Sequence, residues 1–194
     1  MDAKKIIQTG NAGTGKSTIT EQIRKQYLNN GFGVLIYDIK NEKAYESVPN
    51  MPLSALKKWN GKGEYKVSML SDDNFSIVDV FKIILERKGK LRNFFFVLED
   101  AHGYINPQTA KPIIAVFGAS RQWGITFLAN YWAIKQVPPF FCEMCNYLII
   151  RKTNDSFKRP QDLEKFTKPD EIFRAWQTVQ NHKDNYHSVT LKIT

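Results

Sequence analysis

Cysteine is nearly absent from this 194-residue sequence, which has two, and no apolar run approaches the length of about 18–20 residues that a membrane-spanning helix needs. Two cysteines cannot build a disulfide framework, so we expect a reducing, cytoplasmic setting. The first residues also lack the apolar core and the small-residue cleavage site of a signal peptide. The sequence therefore predicts a cytoplasmic protein without a membrane partner.

Acidic residues are scarce as well. The chain has 19 Asp and Glu against 28 Lys and Arg, which gives a formal net charge of +9 and an isoelectric point near 9.5. Hydrophobic residues make up 42% and aromatic residues 13%, a composition that excludes wholesale disorder. The length fits one domain covering residues 1–194. The charge indicates an anionic partner without saying which one.

Short apolar segments alternate with amphipathic segments along most of the chain. The expected strands cover residues 4–9, 34–37, 93–98, 125–129, 147–150 and 186–193. The expected helices run from a glycine-rich turn after the first strand to Asn30-Gly31, and then cover residues 53–59, 74–88, 111–123 and 170–180. This alternation predicts an α/β fold, a parallel sheet with helices on both faces, completed by a C-terminal helix and an edge strand.

The glycine-rich turn fits the phosphate-binding pattern G-x-x-x-x-G-K-[ST] and lies between an apolar strand and an amphipathic helix. Glycine permits backbone geometries in which consecutive N–H groups face one anion, and the helix N-terminus adds its positive dipole end. We expect Lys16 to reach the β- and γ-phosphates of ATP and the Ser17 hydroxyl to bind Mg²⁺. The expected ATP-binding residues are Gly10, Asn11, Ala12, Gly13, Thr14, Gly15, Lys16, Ser17 and Thr18.

Two carboxylates, Glu99 and Asp100, follow the most apolar strand of the chain. In a parallel sheet, ligands collect at the carboxyl ends of the strands, where the glycine-rich turn also lies. Hydrolysis of bound ATP needs a metal ion opposite that turn and a group that orients the attacking water. We therefore expect Glu99 to bind Mg²⁺ and Asp100 to activate water. The structural alternative is a pair of solvated turn acids.

Three further segments of this chain resemble the FtsK/HerA superfamily of P-loop ATPases. Residues 34–42 resemble the family's second strand and its acidic turn, residues 99–102 resemble its Asp-Glu-Ala-His segment, and residues 120–129 resemble its Arg-x-x-Gly turn followed by a strand. The resemblance implies a RecA-like core of the additional-strand, catalytic-glutamate type. It also implies ATP hydrolysis coupled to DNA translocation by a homo-oligomeric, hexameric ring, as in viral genome packaging, with a capsid or portal protein as a further partner.

The chain departs from the family's pattern at two places. The family has Asp before Glu, whereas this chain has Glu99 before Asp100, which lengthens the metal-side carboxylate and shortens the base. The family's Gln sensor is absent, and Asn130 or Trp132 falls near its place. Asn130 is favoured because an amide both donates and accepts hydrogen bonds. The inverted acids leave open a nucleotide-dependent switch that does not hydrolyse ATP.

The resemblance also assigns an arginine finger, a residue that stabilises charge on the ATP of a neighbouring subunit. Arg121 lies in the segment that matches the family's Arg-x-x-Gly turn, and Arg151, after the fifth strand, is the rival. The alternative for Arg121 is an arginine at a helix end that faces solvent. The expected catalytic residues are therefore Lys16, Glu99, Asp100, Arg121 and Asn130.

Basic residues concentrate in three clusters, and no base-reading motif accompanies them. Such clusters suit contacts with a DNA backbone without sequence preference, although charged loops are the structural alternative. The clusters are Lys57, Lys58, Lys62 and Lys66, then Arg87, Lys88, Lys90 and Arg92, and finally residues 151–168.

A zinc site is a weaker reading of the two cysteines. Cys142 and Cys145 have C-x-x-C spacing, and His182 with His187 would have to complete the site. The alternative is a pair of buried thiols that behave as small apolar residues.

Two other functions are compatible with the same nucleotide site but imply a different partner or substrate. One is a phage assembly or secretion ATPase that resembles the zonula-occludens-toxin-like proteins, for which salt-sensitive DNA binding is not required. The other is a small-molecule P-loop kinase, for which the stretch 151–159 makes a poor lid.

Overall fold

The computed structural model describes residues 2–68, 76–87 and 89–194, which form a seven-stranded sheet flanked by helices. The strands are β1 (Lys5–Thr9), β2 (Gly33–Tyr37), β3 (Glu64–Val67), β4 (Phe94–Leu98), β5 (Thr126–Tyr131), β6 (Tyr147–Ile150) and β7 (Val189–Lys192). The helices are α1 (Lys16–Asn29), α2 (Leu53–Leu56), α3 (Ile77–Glu86), α4 (Ala110–Trp123), α5 (Pro139–Met144) and α6 (Pro169–Asn181). The predicted α/β fold is confirmed.

The order of the strands across the sheet is β3-β2-β4-β5-β1-β6-β7. All neighbouring strands are parallel except β6 and β7, so β7 is the antiparallel edge strand. Strand β5 is inserted between β1, which leads into the glycine-rich loop, and β4, which ends at the acidic pair. This additional strand is the arrangement that the resemblance to the FtsK/HerA superfamily implies.

Strand β4 connects the two layers of the core, since all five of its residues are buried. Successive side chains of a strand point to opposite faces of the sheet. Phe94 and Phe96 accordingly belong to the apolar cluster on one face, and Phe95 and Val97 to the cluster on the other. On that second face Phe95 stacks on Tyr27 of α1, with ring centroids 4.9 Å apart. A strand buried on both faces needs the unbroken apolar run that the sequence shows.

Several boundaries differ from those that the sequence predicts. Strand β3 and helix α5 are not predicted, and β3 forms because its partly polar residues pair in parallel with β2. Strand β5 runs to Tyr131, two residues further than expected, because β1 pairs with it as far as Thr9. Asn130 therefore lies inside a strand.

Helix α3 starts later than expected because Ser76 and Asp79 form a capping box at its N-terminus. The remainder of the predicted helix, residues 74, 75 and 88, lies outside the described residues. Among the described residues, no helix has the length and apolarity required to cross a membrane.

Strands β1 to β6 run in one direction, so the sheet has a carboxyl edge where they end and an amino edge where they begin. The glycine-rich loop after β1 and the acidic pair after β4 both lie at the carboxyl edge. Helix α1 also starts there, at Lys16, and directs its N-terminus to the same place. Arg121, in the last turn of α4, lies at the amino edge.

Candidate active site

The conformation of the glycine-rich loop depends on its glycines. Gly13 and Gly15 have φ angles of 74° and 85°, in the left-handed region that other residues rarely adopt. At Gly10, a Cβ atom would lie 2.6 Å from Oγ1 of Thr14, so a larger residue does not fit. Both glycines that the motif specifies, Gly10 and Gly15, are thus required by the structure.

A cavity of about 480 Å³ lies against this loop at the carboxyl edge. Its walls combine loop residues with carboxylates, lysines and two aromatic rings: Asn11, Ala12, Gly13, Gly15, Lys16, Ser17, Lys40, Glu42, Glu99, Asp100, Trp132 and Tyr186. Gly10, Thr14 and Thr18, the other expected ATP-binding residues, lie outside these walls. The cavity joins the phosphate-binding motif to the acidic pair, which are more than 80 residues apart in the sequence.

Lys16 is held against the loop that precedes it. Its Nζ donates hydrogen bonds to the backbone oxygens of Gly10 and, at 2.9 Å, Asn11. Burial lowers the pKa of Lys16, and the nearby carboxylates of Glu99 and Asp100 act in the opposite direction. A cation placed in this way, beside the positive end of α1, suits a polyphosphate ligand.

Glu99 is almost fully buried and is held by two side chains. The Tyr45 hydroxyl donates to its Oε1, and Nδ2 of Asn130 donates to its Oε2 at 2.8 Å. Burial raises the pKa of Glu99 to about 7, against the hydrogen bonds from Tyr45 and Asn130, which lower it. A cation bound beside this carboxylate would therefore favour its ionised form.

Asp100 is fixed by its backbone and by both carboxylate oxygens. Its φ angle of 47° lies in the left-handed region, which is rare for a residue other than glycine. Nε1 of Trp132 donates to Oδ1 at 2.6 Å, and Nζ of Lys40 lies 2.5 Å from Oδ2. The Lys40 ammonium also lies 4.5 Å from the centroid of the Trp132 ring. These three side chains form one contact group on the cavity wall.

The walls of the cavity fit a magnesium nucleotide. Ser17 and Glu99 supply oxygen atoms of the kind that Mg²⁺ prefers as ligands in proteins. The glycine-rich loop, Lys16 and the N-terminus of α1 supply positive groups for a triphosphate. With a carboxylate next to that triphosphate, the arrangement can orient water for attack on phosphorus, which is the chemistry of nucleotide hydrolysis.

Solved structures share this architecture. The DNA-packaging ATPase B204 from Sulfolobus turreted icosahedral virus matches 100% of this chain and 94% of its own length, with a TM-score of 0.76 and 14% identity. The genome packaging NTPase B204 from Sulfolobus turreted icosahedral virus 2, in complex with AMPPCP, matches 98% of this chain and 93% of its own length, with a TM-score of 0.75 and 14% identity. The chain has the same P-loop ATPase fold as these packaging proteins.

This P-loop ATPase fold is shared with a protein of another class. The N-terminal domain of zonular occludens toxin from Neisseria meningitidis matches 100% of this chain and 96% of its own length, with a TM-score of 0.52 and 13% identity. No protein-family model and no curated protein sequence matches the chain, so the likeness is one of structure.

In this P-loop ATPase fold, the predicted sensor Asn130 is fully buried and lies outside the walls of the cavity. Its Nδ2 donates to Glu99 and, at 3.2 Å, to Oγ1 of Thr20 on α1. The other candidate, Trp132, lines the cavity and is 43% exposed. Because strand β5 continues past Asn130, this residue lies within the sheet and not in the cavity. Its contact with Glu99 thus suits a residue that positions Glu99.

The two candidate arginine fingers occupy different environments. Arg151 is 4% exposed, and its Nη1 donates to the backbone oxygens of Thr14 and, at 2.9 Å, Tyr186. The interpretation of Arg151 as a finger stays a prediction, and a guanidinium bonded to its own P-loop does not favour it. Arg121 is exposed at the amino edge, and its role as the finger stays a prediction.

The remaining sequence candidates have local roles. Asp38 is buried and accepts hydrogen bonds from the backbone N–H groups of Lys40 and Glu42, so it shapes the loop after β2. The zinc reading finds no support, since no group of three metal-ligating side chains occurs among the described residues. Burial raises the pKa of both cysteine thiols to about 12, as expected of small apolar core residues.

Three side chains of the site carry no sequence signal that assigns them to it. Tyr45 lies in the stretch without a clear pattern, and Lys40 occurs in the segment 34–42 without an assigned role. Tyr186 was expected only as the start of an edge strand, although it lies in the loop before β7. An isolated aromatic residue before a strand is the one signal that could have singled it out.

Proposed function

We propose that this chain is an ATP-hydrolysing, DNA-translocating motor of the genome-packaging type that acts as a homo-oligomeric ring in the host cytoplasm. The observation that carries the proposal is the cavity at the carboxyl edge, where the P-loop with Lys16 faces the carboxylates of Glu99 and Asp100. The likeness of the whole chain to packaging ATPases of similar length supports it at the level of the fold. The hexameric state and a capsid or portal partner are part of the same proposal.

In the proposed reaction, water attacks the γ-phosphorus of ATP, the bond to the β–γ bridging oxygen breaks, and Asp100 accepts the proton that the water loses. A magnesium ion held by Ser17 and Glu99 would neutralise charge on the phosphates. Lys16 stabilises the charge that develops on the γ-phosphoryl oxygens. Tyr45 and Asn130 keep Glu99 in place, and Lys40 with Trp132 orients Asp100.

A basic surface at the amino edge supports the DNA part of the proposal. We call it the basic patch and define it as Lys57, Lys58, Lys62, Arg87, Lys90 and Arg92. All of these residues are exposed except Arg87, which is half-buried. Nη1 of Arg87 donates to the backbone oxygen of Lys57 at 2.7 Å, so two of the predicted clusters form one surface. Side chains of this kind contact phosphates without reading bases.

Other members of the predicted clusters are engaged elsewhere. Lys66 is 4% exposed and donates to Oδ1 of Asn41 at 2.6 Å, so it cannot contact DNA. Lys165 donates to three backbone oxygens, those of Ile134, Lys135 and Val137. Lys88 lies outside the described residues. The basic patch is therefore smaller than the sequence suggests, and it contains no residue of the stretch 151–168, which follows β6 at the carboxyl edge.

The position of Arg121 supports a ring. It lines a hollow of about 360 Å³ at the amino edge together with Lys4, Lys5 and Lys192. Four basic side chains and one acidic side chain, Asp2, line this hollow, so its side chains carry a net positive charge. Arg121 lies at the opposite edge of the sheet from its own P-loop. A role in hydrolysis therefore requires the cavity of a second subunit.

The proposal is tested by measuring the rate of ATP hydrolysis during titration with duplex DNA, single-stranded DNA and RNA. We expect DNA to stimulate hydrolysis, and the stimulation to weaken between salt concentrations of about 50 mM and about 200 mM. The Lys16→Ala variant, which loses the phosphate-binding ammonium, is the control and is expected to lose at least about a hundredfold in rate. Wild-type activity no greater than that of Lys16→Ala, with or without DNA, overturns the proposal.

A second candidate is an assembly ATPase, which the likeness to the zonular occludens toxin domain favours. Hydrolysis that is equally fast at all concentrations of DNA would favour this candidate over the motor. Transfer of phosphate from ATP to a nucleoside monophosphate would instead support the kinase.

A further inference from the structure

Two of the large apolar side chains that this protein exposes lie at the same cavity. Within the described residues, the exposed ones are Ile114, Trp132 and Tyr186, and the last two line the cavity beside the P-loop. Tyr186 is the more exposed, at 66%. Aromatic rings exposed beside a cavity that fits a polar ligand point to a ligand with a flat apolar part.

The backbone of Tyr186 is anchored although its side chain is exposed. Nη1 of the buried Arg151 donates both to the Tyr186 backbone oxygen and to that of Thr14 in the P-loop. The Tyr186 N–H donates to Oδ1 of Asp184 at 2.8 Å, and Nζ of Lys152 donates to Oδ1 of Asn185 at 3.0 Å. One guanidinium therefore ties the loop of Tyr186 to the P-loop, so the backbone that carries the ring is held next to the phosphate site.

The ring of Tyr186 lies directly against the P-loop. A Cβ atom on Gly15 would be 3.0 Å from its Cδ1, which places the ring beside the residue that precedes Lys16. If the phosphates of a nucleotide occupy the loop, its sugar and base must extend along the walls of the cavity. Tyr186 forms one of these walls.

Trp132 is less suited to receive a base, because its ring already has partners. Nε1 of Trp132 is bonded to Asp100, the Lys40 ammonium lies 4.5 Å from its ring centroid, and the His102 ring lies 5.3 Å away. In the part of the chain that the structure describes, Tyr186 makes no ring–ring or cation–ring contact of this kind. Trp132 thus belongs to the carboxylate side of the cavity, while Tyr186 offers a free aromatic face.

We infer that Tyr186 is the stacking platform for the base of the bound nucleotide, an inference that rests on the proposed ATP site. Stacking on an aromatic face needs no particular pattern of hydrogen-bonding groups on the base. The loop that carries Tyr186, residues 182–188, then acts as a specificity element that distinguishes a nucleoside triphosphate from a bare polyphosphate. Arg151 is the positioning residue that couples this platform to the P-loop.

The inference is tested by calorimetric titration of the full chain with magnesium ATP and with magnesium tripolyphosphate. For Tyr186→Ala we expect ATP affinity to fall about tenfold, equivalent to about 1.4 kcal/mol, while tripolyphosphate affinity stays within about twofold. Tyr186→Phe keeps the aromatic face and is expected to bind ATP as the wild type does. Ile114→Ala, which removes another exposed apolar side chain, is the matched control and should change neither affinity.

Two results overturn the platform. One is a Tyr186→Ala variant that binds ATP as tightly as the wild type. The other is an equal loss of ATP and tripolyphosphate affinity, which would show that the side chain supports the P-loop instead of the base. Wild-type protein that binds ATP but does not hydrolyse it would overturn the proposed motor while supporting the nucleotide site on which this test depends.

Discussion

The two edges of the sheet carry charge in different ways. At the carboxyl edge, charges of opposite sign meet around one cavity, as in the 2.5 Å contact of Lys40 with Asp100. At the amino edge, cations collect around Arg121 and in the basic patch, where several of them donate to backbone oxygens. The carboxyl edge is thus arranged to bind and transform an anion, whereas the amino edge presents positive charge over a wide surface.

The direction of the helices explains part of this difference. Helix α1 points its N-terminus at the carboxyl edge, where backbone N–H groups attract anions. Helices α1, α3 and α4 end at the amino edge, where the negative end of each helix dipole favours cations. Nζ of Lys62 donates to the backbone oxygen of Gly31, just past the end of α1, which is a contact of this kind. The amino-edge cations therefore have a structural role, and experiments must separate it from a role in binding.

The largest effect is expected when the two edges are tested together. Arg121→Ala should lower the rate of ATP hydrolysis about a thousandfold, because the charge that develops on the phosphates loses its partner, while ATP affinity is unchanged. In a ring, each site takes Lys16 from one subunit and Arg121 from the next. A mixture of equal amounts of Arg121→Ala and Lys16→Ala subunits should then recover about a quarter of the wild-type rate.

The control for this experiment is Arg174→Ala, which removes an exposed arginine from α6 and should leave the rate unchanged. A mixture that stays as inactive as its two components would contradict a site shared between the edges. Arg121 would then be an arginine at a helix end without a role in hydrolysis.

A smaller effect is expected from reversing charge in the basic patch. The triple variant Lys57→Glu, Lys58→Glu and Lys90→Glu should bind duplex DNA about a hundredfold more weakly. The slope of log affinity against log salt concentration should also become shallower, by the equivalent of about three phosphate contacts. Hydrolysis without DNA should be unchanged, because the patch lies at the opposite edge from the cavity. Fluorescence anisotropy at several salt concentrations measures both quantities.

The matched control for the triple variant reverses exposed lysines at the carboxyl edge that lie outside the predicted clusters, Lys43, Lys111 and Lys135. Equal losses of DNA affinity in the two triple variants would show that net charge matters and the amino edge does not.

The smallest effect concerns Glu99 and pH in the absence of metal. Burial raises the pKa of Glu99 from 4.5 to about 7, so between these pH values the folded protein binds more protons than the unfolded chain. The free energy of unfolding must therefore fall as pH rises through this window. Because Gln does not titrate, the Glu99→Gln variant lacks this pH-dependent decrease. Between about pH 5 and about pH 8, we expect the stability of Glu99→Gln relative to wild type to increase by about 2 kcal/mol.

Urea denaturation in the presence of a chelator measures this difference, with Glu46→Gln, at an exposed glutamate, as the control. A stability difference that does not change with pH would show that Glu99 titrates at its ordinary pKa in the folded protein.

The sequence allowed most of the sheet and the centre of the site to be predicted. The strand before the P-loop, the apolar strand before Glu99 and the edge strand all carry local periodic patterns, and the P-loop is a contiguous motif with fixed glycine positions. Strand β3 was missed because its stability comes from pairing with β2 and not from its own composition. Tyr45 was missed because its contact with Glu99 joins residues 54 apart.

Local pattern by itself determined that this chain places a P-loop after a strand and a carboxylate pair after another, because those features depend on neighbouring residues. Tertiary structure alone decided the roles of the cations. Arg151 reaches Thr14 across 137 residues and is buried, Lys66 is buried, and Arg121 stays exposed at the amino edge. Burial and the order of strands arise from contacts between distant segments, so a sequence shows how many charges there are but not which of them meet a ligand.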